Sequence, residues 1–130
     1  MGHVHVRVKL ANPRDVKEGR VEKSIEERAL VDTGATFTTI PRALREKLSL
    51  PILGKTKVRT ASGIEVLDQS YMYTEIDGKF AVTPTLISEK LDRTLIGVFT
   101  LEALGLAVDP TTGQLKETEI LLLQNLRLRQ

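Results

Sequence analysis

The chain has 130 residues, 41% of them hydrophobic, with 19 Lys+Arg against 17 Asp+Glu and a net charge of +2. This is one ordinary domain with enough apolar residue for a core, which argues against disorder; the near-balance of charge and 4% aromatics argue against a nucleic-acid surface. No cysteine is present, which excludes disulfides and thiolate metal sites and suits a cytoplasmic setting, while no apolar run is long enough for a membrane span and the polar start does not read as a signal peptide.

The first element is a strand. Val4, Val6, Val8 and Leu10 alternate with His3, His5, Arg7 and Lys9, the period of a half-buried strand. His3 and His5 share a face, but with no third ligand nearby they read as solvated side chains and not as a metal site. Asn12-Pro13 ends the strand, and the densely charged residues 14–23, with Gly19 among them, read as an exposed hairpin loop. A second strand over 24–32 is polar at first and apolar at Ala29-Leu30-Val31.

That strand runs into Asp32-Thr33-Gly34. Asp is depleted in strands, and a carboxylate carried inward is costly unless it is paired. Gly34, having no Cβ, lets the backbone turn sharply and approach another segment closely. The residues permit two readings: a catalytic carboxylate, or a turn built from three common turn formers. The tripeptide alone favours the turn.

Residues 37–40 form a short strand, and Pro41 suits the first position of a helix over 42–48. Leu44 and Leu48 share one face of that helix, Arg42 and Glu46 pair on the other, and Pro51 ends it. Residues 55–60 and 64–73 make a long hairpin around Ala61-Ser62-Gly63. Asp77-Gly78 is a second hairpin turn leading into 80–87, where Pro84 marks an edge or a bulge. A strand over 91–96 stops at Gly97, and a short helix over 98–104 is closed by Gly105. Residues 106–109 and those from Gln114 onward pair around a turn at 110–113. Ile120-Leu121-Leu122-Leu123 is apolar on both strand faces, so it is buried in a core or covered by another chain, and Arg127 and Arg129 close a polar tail.

The flanks of the acidic turn shift the balance. Leu30-Val31 precede Asp32-Thr33-Gly34, Ala35-Thr36 follow it, and Leu95-Ile96-Gly97 leads into a short helix downstream of a small-tipped hairpin. This order resembles one lobe of the retropepsin-like (retroviral-type, single-lobe) aspartic proteases, in particular their cellular prokaryotic members, from about Val4 to about Leu115. The resemblance implies an all-β, closed acid-protease barrel lobe with two short helices. It implies a single domain over 1–130, with 118–130 a candidate dimerisation tail. The site it implies is a catalytic Asp32, an active-site loop of Thr33, Gly34 and Ala35, a flap of Ala61, Ser62 and Gly63, and a second loop of Ile96 and Gly97, with no metal and no cofactor. Thr33 would hydrogen-bond to the partner's loop, Gly34 would accept substrate backbone, and Val58, Ile64 and Val98 would line apolar pockets.

Carboxylate-driven peptide hydrolysis needs a pair: one group takes a proton from water while the other, protonated, polarises the scissile carbonyl. Aspartic proteases in general hold the two carboxyl groups about 3 Å apart, sharing one proton. This chain has one Asp-Thr-Gly, so a homodimer would supply the second Asp32 across a two-fold axis. The expected partners are a second copy and a peptide or protein substrate, with no nucleic acid and no membrane. The alternative is a non-catalytic homodimer of this fold that binds peptide or protein in its cleft. Beyond both stands an interaction domain in which Asp32 only shapes a turn. The sequence departs from the retroviral pattern in two places. Thr36-Phe37 and Val98-Phe99 stand where an Asp and an Arg would pair, so apolar contacts are expected there, with Thr100 the nearest polar candidate.

Overall fold

The computed structural model describes residues 4–120; His3, residues 121–123, Arg127 and Arg129 lie outside the described residues. The alternation at the start gives β1 (Val4–Ala11), which buries Val8 and Leu10 and pairs antiparallel with β2 (Ile25–Val31) from Val4 opposite Val31 to Leu10 opposite Ile25. Between them, the stretch expected to be an exposed loop contains a helix, α1 (Pro13–Lys17), and a 3-10 turn (Val21–Lys23). The cause is local. Asn12 accepts the Arg14 N–H at 2.9 Å and Pro13 opens the first turn. The Asn12 amide in turn donates to the carbonyls of Leu48 and Ser49, and buried Asp15 is held by Arg20 at 3.3 Å.

β3 (Thr38–Pro41) leads into α2 (Arg42–Leu48), whose buried face is Leu44 and Leu48. The helix ends at Ser49 in the left-handed region, φ 55°, ahead of Pro51. β4 (Gly54–Thr60) and β5 (Gly63–Ile76) form the long hairpin, with Thr60 opposite Gly63 across Ala61 and Ser62. Asp77 and Gly78, at φ 52° and 79°, turn β5 into β6 (Lys79–Ser88), as a two-residue hairpin of the twist-matched type requires. Pro84 lies where β6 pairs with β5 alone, just before the parallel pairing with β3 begins at Thr85. The expected strand over 91–96 is shorter, β7 (Leu95–Ile96), and passes through Gly97 into α3 (Val98–Leu104). Gly105 closes α3 at φ 71°, and β8 (Leu106–Val108) pairs with β9 (Leu115–Glu117) as a separate two-stranded sheet.

The main sheet runs β1-β2-β7-β3-β6-β5-β4, and β1 pairs again with β5, so the sheet wraps back on itself with β4 left as a free arm. This is the β-rich lobe that was expected, carrying three short α-helices where two were anticipated. Leu10, Ile40, Leu48, Leu50, Met72, Ile76, Ile87 and Ile96 fill its centre. Each such fully buried side chain contributes about 1.5–3 kcal/mol. Among the described residues no helix is long and apolar enough to cross a membrane.

Candidate active site

The position of Asp32 follows from strand order. β7 is inserted between β2 and β3, parallel to β2, so the connection from β2 to β3 must cross the end of β7. Backbone bonds fasten the crossing. Asp32 N–H donates to the Ile96 carbonyl at 2.9 Å, Val98 N–H to Ala35 at 2.8 Å and Phe99 N–H to Thr36 at 2.9 Å. The segments touch so closely that a Cβ at Gly97 would lie 2.5 Å from the Phe37 carbonyl carbon and 2.9 Å from the Thr36 oxygen. Within the loop, Gly34 N–H donates to Asp32 Oδ1 at 2.9 Å and Ala35 N–H to the Asp32 carbonyl at 3.1 Å. The carboxylate is therefore oriented by its own turn, half-buried, at the end of a buried strand.

Beneath the crossing lies a chain of buried hydroxyls. Gly97 N–H donates to Thr38 Oγ1 at 3.1 Å, Thr38 and Thr100 hydroxyls are 2.7 Å apart, and Thr100 lies 3.0 Å from the Thr83 hydroxyl. All three threonines are buried. The apolar contact expected in place of a charged brace is present as the Phe37–Phe99 pair, ring centroids 5.6 Å apart, but Thr100 supplies a polar one as well. Thr38 and Thr83 carried no signal in the sequence, because threonine is an ordinary strand former.

A groove of about 750 Å³ opens beside Asp32. Asp32, Gly34, Ala35 and Phe37 line it together with Val58, Thr60, Ala61 and Leu67 of the β4–β5 hairpin and with Leu86, Leu91 and Leu95. Of the residues singled out in the sequence, Asp32, Gly34, Ala35 and Ala61 thus meet in one groove. Ser62 and Gly63 do not line it, Thr33 is exposed outside it, and Ile96 and Gly97 are buried behind the loop. Val58 lines it; Ile64, 56% exposed, and Val98 do not. The charged lining residues Lys57, Arg59, Glu65 and Lys90 were not foreseen.

The base of the hairpin is held by charge. Arg42 was expected to pair with Glu46; it reaches instead to Asp68 at 2.9 Å and to Glu89, while Lys55 meets Asp68 at 2.7 Å. The hydrogen bond from Lys55, then that from Arg42, holds the Asp68 carboxyl below its ordinary 3.8, and Asp68 followed by Glu89 raises the Arg42 guanidinium. Tyr73, outside the groove lining, is pushed up to about 12 by burial and then by its bond to Glu75. Among the described residues no three His, Cys, Asp or Glu side chains cluster to hold a metal.

The family model for aspartyl proteases matches residues 17–98, more than half of the chain, a span that holds Asp32, the hairpin and Gly97. Among solved structures, the chain is similar to the simian foamy virus (mac) protease in solution, with a TM-score of 0.53, 20% identity, and coverage of 75% of this chain and 90% of that one. No curated protein matches the chain. At that identity the structural likeness speaks for the fold, and the family match speaks for descent: the chain belongs to the aspartyl protease family, in its retropepsin-like form.

Proposed function

We propose that the protein is an aspartic endopeptidase that works as a homodimer, with one Asp32 from each chain at a shared two-fold axis. The observation that carries this reading is the placement of Asp32: a half-buried carboxylate, aimed by its own turn, lining a groove together with a hairpin. Glu65 is the other acidic residue lining that groove, and it is already engaged by Thr60 and Lys90. Among the described residues the groove thus offers a single carboxylate not engaged by another side chain, and symmetry would supply the second.

In the dimer, one Asp32 takes a proton from water as the water attacks the scissile carbonyl, and the other gives a proton to the carbonyl oxygen. Collapse of the tetrahedral intermediate then passes a proton to the leaving amine. Thr33, exposed at the loop's apex, bonds to the partner loop, and Gly34 allows the two loops and the substrate backbone to approach. Ile96 and Gly97 support the loop from behind. The substrate lies extended and adds backbone hydrogen bonds as a strand does. Ala61, Ser62 and Gly63 form the tip of a flap that closes over it and excludes water. Residues 1–130 act as one domain, with 118–130 joining the chains.

The test is Asp32→Asn assayed on a denatured protein or a peptide library. Cleavage should fall by about 10²–10⁴-fold, while sedimentation velocity still shows a dimer. Undiminished cleavage by the pure variant would overturn the proposal.

A further inference from the structure

Near its tip the hairpin is tied to the segment after β6 by an ion pair. Glu65 sits on the groove side of β5, its side chain 26% exposed, and Lys90 lies in the segment that follows β6. Lys90 Nζ is 3.3 Å from Glu65 Oε2, and both residues line the groove. The contact is continuous with the tip. The Thr60 hydroxyl lies 3.1 Å from Glu65 Oε2 and 3.1 Å from the Gly63 carbonyl, and it accepts the Ser62 N–H at 3.1 Å. The Lys90 end is anchored as well. Lys90 N–H donates to Ser88 Oγ at 3.0 Å, and the neighbouring Glu89 is held by Arg42. A path of polar contacts therefore runs from the tip, through Thr60 and Glu65, across to Lys90 and the end of β6.

We propose that Glu65 and Lys90 are positioning residues for the reaction: their ion pair latches the flap against the wall beside Asp32 and keeps it over a bound peptide. Neither touches the reacting atoms. Opposite charges across the mouth favour the closed arrangement, and the shared Thr60 hydroxyl carries that preference to the two tip residues. The effect on cleavage rests on the protease reading; the effect on flap motion does not.

The experiment uses the full-length protein without ligand and reads amide hydrogen exchange at residues 60–64. Lys90→Glu, which sets two acids face to face, should speed exchange there by about two- to fivefold, the range of a partly exposed ion pair. Glu65→Gln should do so to a smaller degree. The swap Glu65→Lys with Lys90→Glu should restore slow exchange. On a cleaved peptide, Lys90→Glu should raise KM by a similar factor with kcat held, because the pair steadies the bound peptide equally before and at the transition state. Unchanged exchange in Lys90→Glu and Glu65→Gln, or a swap that exchanges as fast as Lys90→Glu, would overturn the latch. A protein with the expected exchange pattern and no peptidase activity would leave the latch standing and remove the protease reading.

Discussion

At Gly97 a β-carbon would stand 2.5 Å from the carbonyl carbon of Phe37, nearer than real Cβ contacts come, and the obstacle is backbone that is itself bonded into the loop. Relief requires the Asp32 loop to move. Gly97→Ala should therefore cost about 1–3 kcal/mol, read by urea unfolding, and should lower cleavage more than a surface change of equal stability cost. Wild-type stability and activity in that variant would mean that the crossing has slack. The Asp-Thr-Gly turn and Leu95-Ile96-Gly97 were legible through their flanks and their order along the chain, which carry the family resemblance, and not through the tripeptide alone. The hydroxyl chain of Thr38, Thr100 and Thr83 was not legible. A buried threonine bonded to two others has the same sequence signature as a threonine that merely fits a strand.

Elements whose signals are local were read correctly: the Asp77-Gly78 turn, the Gly105 helix stop and the hairpin around Ala61-Ser62-Gly63, of which Gly63 already pairs with Thr60 as the first residue of β5. α1 was misread because charge density suggested a solvated loop, whereas Asn12 caps the helix and Asp15 turns inward to Arg20. Arg42 was misassigned for a related reason. Helical spacing offered Glu46, but the partners that win, Asp68 and Glu89, are distant in sequence. These ion pairs give the base of the hairpin a pH dependence with a definite sign. The Asp68 carboxyl is held below 3.8 in the folded protein, so its stabilisation is complete above the unfolded value and is lost as the pH falls through the folded one. Asp68→Asn should consequently be less stable than the wild type near neutrality, with the gap closing in acid below about pH 4. Urea midpoints of both proteins across that range check it; a gap independent of pH would place the effect in packing and not in charge.

For the whole molecule, the sheet that wraps back through β1 and β5 gives the lobe a core of its own, as the proposal of a site shared between two such lobes requires. The family resemblance read from a few short motifs anticipated that lobe, since the order of strands, crossing and hairpin leaves little freedom once Asp32 and Gly97 are placed. How two lobes would meet in the proposed dimer was legible only as an apolar run in the sequence. Ile120, 66% exposed, ends the described residues, and the apolar run that it begins is the proposed contact between chains. Removing residues 118–130 should yield a monomer or an aggregating chain without peptidase activity, by sedimentation velocity beside an activity titration; a truncated protein that stays dimeric and active would assign the contact to the Asp32 loops and flaps.

The central claim, a carboxylate pair drawn from two chains, is tested most directly by mixing. Wild-type and Asp32→Asn proteins are combined in varying ratio at a fixed total concentration well above the dimer dissociation constant, left to exchange subunits, and assayed on one peptide. A shared site predicts activity that follows the square of the wild-type fraction, since a mixed dimer has one aspartate and is inactive. Activity that falls in simple proportion to the wild-type fraction would mean that each chain works by itself, and would contradict the account.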